Sequence, residues 1–195
     1  GLKAAKRTIG SEIQQLAPNY FGKELSALPL LNANVGLRID TRNIRGYAQK
    51  GQLFIAQLNY FLFPGHQTLN FPEVNMRYTR HVPFKQKTDL ALSSIVKVST
   101  IKARPYYLNR GIGWGVNSMR TYDYFVMDGN NFFVQKASIR YRAYNKTINF
   151  KKLPLKQFRK IPFKAVPKLF FDVGYINNQQ YGLQGDFLNR PLFGY

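Results

Sequence analysis

The sequence predicts an all-β, antiparallel fold. Three features predict it. Apolar and polar residues alternate with a period of two over most of the 195 residues, the helical period is nearly absent, and the alternating runs reach 12–14 residues.

In 30–42, "LLNANVGLRIDTR", Leu31, Ala33, Val35, Leu37, Ile39 and Thr41 share one face, and Asn32, Asn34, Gly36, Arg38, Asp40 and Arg42 share the other. The connector "NIRGYAQKG" leads to 52–63, where Phe54, Ala56, Leu58, Tyr60 and Leu62 oppose Gln57 and Asn59, and Pro64-Gly65 ends the run. In 71–84, Val74, Met76, Tyr78, Val82 and Phe84 oppose Glu73, Asn75, Arg77, Thr79 and His81, with Arg80 intruding on the apolar side. In 88–101, Leu90, Leu92, Val96 and Val98 oppose Asp89, Ser93, Lys97 and Ser99. In 131–144, Phe133, Ala137, Ile139 and Tyr141 oppose Lys136, Ser138, Arg140 and Arg142. In 165–176, Leu169, Phe171, Val173 and Tyr175 oppose Lys168, Phe170, Asp172 and Gly174. These are six strands, and residues 1–10 and the stretch from Pro191 offer a seventh and an eighth. Residues 11–28 read as a short helical turn in a long loop, interrupted by Pro18 and Gly22. With no internal repeat or linker composition, residues 1–195 read as a single domain.

Runs of this length exceed the five or six residues usual in soluble sheets and suit a tilted crossing of a bilayer, with charged side chains facing a wet lumen. A soluble sandwich also alternates, because one face of each sheet meets water. Both architectures accommodate the pattern.

Composition narrows the functions. The chain holds 29 Lys+Arg against 9 Asp+Glu, a formal charge of +20, which points to an anionic partner such as nucleic acid or a membrane surface. The absence of cysteine excludes disulfides and thiolate metal sites. No run of eighteen apolar residues suggests a transmembrane helix, and "GLKAAKRTIG" lacks the apolar segment of a signal peptide. His66 and His81 are far apart, so a zinc site is not expected. Asp40 and Asp172 each lie among basic residues, which favours paired charges over acid/base work. "RGIGWG" lacks the strand-to-helix setting of a phosphate loop. Neither an enzyme nor a cofactor is expected.

Three separated motifs, in order, give the chain a resemblance to the BamA/TamA superfamily of outer-membrane barrels, which insert other proteins into the membrane. The first is "DTRNIRGYAQKG", similar to the family's Asp-x-Arg element and following turn. The second is "RGIGWGVNSMRTYDYFVMDGNNFFVQKASIRYR", similar to its Gly-rich approach, Val-Arg-Gly-Phe/Tyr loop and Asp-Gly. The third is "FFDVGY", similar to a Phe-x-Asp-x-Gly strand, with "RPLFGY" resembling the Gly-rich opening of the next one. The resemblance spans about residues 30–195. It departs from the family at Thr121, where the motif has glycine, and at Ser138, where an acid is frequent.

The resemblance implies an antiparallel transmembrane β-barrel, of which six to eight strands are present out of about sixteen. It implies the Gram-negative outer membrane as location. As partners it implies outer-membrane lipids, unfolded outer-membrane protein substrates and other assembly subunits, and no nucleic acid. POTRA domains precede the barrel in the family, so this chain would be a C-terminal-side part of it. The loop over about 102–130 is expected to re-enter the lumen. Its motif is Met119, Arg120, Thr121 and Tyr122, with Arg120 pairing with Asp172 while Tyr122, Tyr124 and Phe125 pack on the inner wall. Arg38, Asp40, Arg42, Glu73, Arg77, Lys97, Lys136, Arg140 and Lys168 are expected to line the same interior.

Two other readings compete. One is a soluble, basic all-β protein that binds nucleic acid, with Arg140, Arg142, Lys146, Lys151, Lys152 and Lys156 tracking phosphates and tyrosines stacking on bases. The other is a barrel of the same type fused to a periplasmic enzyme, such as a patatin-like lipase.

Overall fold

The structure, a computed structural model, describes residues 1–8, 27–100, 105–149, 160–178 and 189–195, with isolated positions from 10 to 15. The helical turn expected within 11–28 lies largely outside the described residues. These form ten strands: β1 (Leu2–Thr8), β2 (Ala27–Asp40), β3 (Gly51–Leu62), β4 (Phe71–Lys85), β5 (Thr88–Ser99), β6 (Asn131–Tyr141), β7 (Tyr144–Asn149), β8 (Lys160–Ala165), β9 (Lys168–Asn177) and β10 (Pro191–Gly194). Eight of them make one antiparallel sheet in the order β1-β2-β3-β4-β5-β6-β9-β10, and β7 and β8 pair as a separate hairpin inserted between β6 and β9. Among the described residues no helix is long and apolar enough to cross a membrane.

Parity decides which way each side chain points, and the exposed face of the sheet is the mainly apolar one. Val35, Leu37 and Ile39 of β2, Leu58 of β3, Met76 of β4, Leu92 of β5, Ile139 of β6 and Leu169 of β9 are all exposed, Val35 at 66% and Leu169 at 76%. The opposite face buries Glu73, Asp89, Lys97, Arg140 and Asp172. Among the described residues no second sheet covers the apolar face. Arg80, the intruder, stands exposed there.

The antiparallel order puts the turn 63–70, the C-terminal end of β5 and the start of β10 at one end of the sheet, and 41–50, 86–87 and the β7–β8 hairpin at the other. The segment 105–130 does not extend away from its end. It folds over the charged face through short 3-10 turns at Tyr106–Leu108 and Gly115–Asn117 and a bridge pairing Ile112 with Met127.

Here the structure adds what alternation did not suggest. The inner face is not uniformly polar. Ile95, Phe132, Val134, Ile176 and Leu192 lie on it and form a buried cluster with Ile112, Met119 and Met127 of the loop. A second cluster of Leu28, Phe63, Leu69 and Phe71 receives Tyr107 and Leu108. The loop is thus held by two apolar footings, and ionic contacts lie between and below them.

Candidate functional site: the re-entrant loop and its seat

The "FFDVG" stretch of β9 presents every second residue inward, and each of those residues meets the loop. Phe170 lies under the Arg120 guanidinium, with Cζ 4.4 Å from the ring centroid. Asp172, fully buried, accepts from Arg120 Nε at 2.9 Å, from Nη2, and from the backbone N–H of Arg120 at 3.2 Å. Gly174 leaves room for Met119: a Cβ there would sit 2.9 Å from the methionine sulfur. On β10, Gly194 pairs with Asp172, and a Cβ on it would fall 2.5 Å from the Arg120 carbonyl oxygen. Strand period and motif spacing therefore coincide, since a period of two is what lines up a cation-stacking ring, a carboxylate and a gap.

The guanidinium has further acceptors on β6. Nη1 donates to Ser138 Oγ at 2.6 Å and Nη2 to the Ala137 carbonyl at 3.2 Å. A planar fork satisfied in this way suits arginine and not lysine. Ser138, standing where the resemblance leads one to expect an acid, keeps a hydrogen bond but supplies no charge. Asp172 is the sole carboxylate on Arg120 among the described contacts. Lys136 lies directly across from Asp172 in the register, yet its Nζ donates to the Ser118 carbonyl of the loop.

Thr121 adopts φ +81°, the left-handed region in which glycine is comfortable and a β-branched residue is strained. Thr121 therefore holds a backbone conformation that the glycine of the resembling motif would adopt without strain. Tyr122 packs on the inner cluster and meets Phe125 edge-on at 6.2 Å. The expectation that Tyr124 and Phe125 pack on the inner wall is not met. Tyr124 is 99% exposed and Phe125 is about half exposed, because the turn at Tyr122–Phe125 swings both away and leaves Met119, Ile112 and Met127 to do the packing.

The remaining charges share the face but do not form one network. Arg140 faces Asp89 in register and donates from Nε to Oδ2 at 2.6 Å, while its Nη2 reaches the Ala48 carbonyl and the guanidinium stacks on Tyr47 at 4.5 Å. The turn 41–50 is thereby tied to the underside of the sheet. Burial pushes the Tyr47 phenol above its ordinary value, so it stays neutral beside the cation. Arg42 and Arg38 both bind Asp40. Lys97 pairs with Glu73 at 3.3 Å and donates to the Arg110 carbonyl at 2.7 Å, a further tie to the loop. Arg77 lies half-buried between Ile55 and Ile95 in register. Arg38 and Lys168 stay exposed. Asp40 on β2 and Asp172 on β9 lie on distant strands and are held by separate arginines, so they form no acid/base pair.

Sequence reasoning passed over Asp128. Its carboxylate accepts from Tyr106 Oη at 2.7 Å and from Trp114 Nε1 at 3.0 Å, and its carbonyl accepts from Asn178. Asp128 is therefore a clasp, within the loop through its carboxylate and to Asn178 beside the end of β9 through its carbonyl. Of the six basic residues considered for phosphates, Arg140 is buried and Arg142 is engaged by Gln49 and Gln86. Lys146 is exposed, and Lys151, Lys152 and Lys156 lie outside the described residues.

No family model matches the chain, and neither does any curated protein or solved structure.

Proposed function

We propose that the chain is part of an outer-membrane β-barrel of the BamA/TamA type, inserting or translocating proteins at the outer membrane of a Gram-negative cell. One observation carries the reading: a sheet whose exposed face is mainly apolar, with Arg80 as an exception, and whose ionic face is partly covered by a loop of its own. Monomeric soluble proteins rarely expose an apolar patch larger than a few hundred Å². Hydrocarbon accepts such a face, and an arginine seated on a buried aspartate suits a lumen. The eight strands are then part of a larger barrel of about sixteen strands.

In this reading the protein works without a reaction step, by opening a seam between strands and thinning the bilayer for an incoming chain. The Arg120–Asp172 seat holds the loop while the wall deforms. Its partners are outer-membrane lipids, unfolded outer-membrane proteins and other assembly subunits. The burial of Arg140 and the engagement of Arg142 weigh against the nucleic-acid reading, since neither side chain is displayed toward a phosphate.

The test is an assembly assay in liposomes. The full-length protein is reconstituted, a urea-unfolded outer-membrane barrel is added, and folding is followed by its heat-modifiable mobility. Faster folding than in empty liposomes, lost in Asp172→Ala, is expected. Equal rates with and without the native protein would overturn the proposal.

A further inference from the structure

The β7–β8 hairpin has no place in the wall. Thr88 of β5 faces Tyr141, the last residue of β6, and Arg142 meets Gln86 and Lys87 of the β4–β5 turn, so β7 and β8 project past that turn. The joint with the sheet keeps the two faces aligned. Arg140 faces Lys168, but Tyr144 faces Ala165, so the β6–β7 side carries one residue more than the β8–β9 side, a bulge at 142–143. Without it, Tyr144 and Ile148 would turn to the lumen side. With it, Tyr144, Ile148 and Phe163 continue the exposed apolar face of Ile139, Tyr141 and Leu169. Tyr144 and Phe163 pack edge-on at 5.8 Å and remain 43% and 53% exposed.

The charge is one-sided. Residues 144–167 contain seven Lys+Arg and no Asp or Glu. Lys146 faces Phe163 on the apolar face, and Lys164 faces Asn145 on the other. Both are exposed.

Resting on the barrel reading, we propose that this hairpin is a membrane-interface anchor: Tyr144 and Phe163 sit at headgroup depth in the leaflet at the turn end of the barrel, and the lysines bind anionic lipid phosphates. A tyrosine ring with its polar tip prefers that depth, Phe163 packs against it, and each basic residue near an anionic surface adds about 1 kcal/mol. The hairpin then fixes the height of the wall beside it.

The test uses the full-length protein in vesicles, with Trp114→Phe removing the one tryptophan of residues 1–195 and any tryptophan elsewhere in the protein likewise replaced by phenylalanine. Tryptophan is placed either at Phe163→Trp or at Leu169→Trp, and quenchers are carried at the headgroup or deep in the acyl chain. In phosphatidylglycerol vesicles, Phe163→Trp should be quenched from the headgroup and Leu169→Trp from the chain. Lys146→Gln and Lys164→Gln should each lower the hairpin's docking equilibrium by about fivefold, read as reduced headgroup quenching. Leu169→Trp quenched while Phe163→Trp is not would overturn the anchor and leave the barrel reading standing. Neither quenched would overturn both. Equal quenching of Phe163→Trp in phosphatidylcholine would overturn the recognition of anionic phosphate.

Discussion

Arg120 grips Asp172 twice, once with its guanidinium and once with its own backbone N–H. The two mutants are therefore unequal. Arg120→Ala leaves the carboxylate one backbone donor, whereas Asp172→Ala leaves a largely buried guanidinium with only Ser138 and the Ala137 carbonyl. Breaking a buried pair typically costs roughly 3–5 kcal/mol, so Asp172→Ala should lie in that range and Arg120→Ala somewhat below it. The double mutant should be little worse than Asp172→Ala. Urea unfolding of the four proteins in detergent measures the coupling, and simple additivity would mean that the contact carries no energy of its own.

Thr121 offers an opposite experiment. At φ +81° a residue bearing a Cβ is strained by roughly 1–2 kcal/mol. Thr121→Gly should therefore stabilise the loop by about 1 kcal/mol after the entropy of glycine is counted. Gly194→Ala should do the reverse, because its Cβ would press on the Arg120 carbonyl at 2.5 Å. Protease protection of the loop is the readout. Destabilisation by Thr121→Gly would show that the hydroxyl matters more than the strain.

The turn 41–50 gives a third prediction. Arg140→Lys keeps the charge opposite Asp89 but loses the fork that also reaches Ala48, and most of the stacking on Tyr47. Hydrogen exchange at Ala48 to Lys50 should quicken by roughly tenfold or more, as expected when about 1.5–3 kcal/mol of charged hydrogen bonding is lost. Unchanged exchange would mean that Asn43, which accepts from the N–H groups of Gln49 and Lys50, holds the turn unaided.

Most of the sheet was legible because a strand encodes its facing in parity, and the exposure of Val35, Leu58, Met76 and Ile139 on one face needed no tertiary knowledge. The seat of the loop was legible in a different way, through the resemblance that paired Arg120 with Asp172. Neither route reached the inner apolar cluster. Ile95, Val134 and Ile176 fall on the polar parity, and their reason is the loop lying above them, a contact distant in sequence. The β7–β8 hairpin was hidden for a related reason. One extra residue at 142–143 breaks the alternation where the strand leaves the wall, so the run reads as ended. Tyr124 was misplaced because aromatic composition says nothing of which side of a turn a ring occupies.

Opposite effects are expected from one charge placed on neighbouring residues. Leu58→Arg puts a guanidinium on the apolar face and should destabilise the barrel in lipid by about 2–4 kcal/mol if it lies near mid-membrane. Gln57→Arg, on the inner face, should change stability by less than about 0.5 kcal/mol. Equal costs, measured by unfolding from vesicles, would mean that the two faces do not differ in solvent.

The most direct measurement exploits the absence of cysteine in residues 1–195, with any cysteine elsewhere in the protein replaced by serine. Single cysteines at 57, 58, 75, 76, 92 and 93 of the full-length protein in vesicles would each carry a spin label, with collision rates read against oxygen, which concentrates in hydrocarbon, and against a water-soluble nickel chelate. Labels replacing Leu58, Met76 and Leu92 should collide mainly with oxygen, and those replacing Gln57, Asn75 and Ser93 mainly with the chelate or with neither. An alternation of two along three strands is the predicted result. Labels on both faces meeting the chelate alike would contradict the membrane wall.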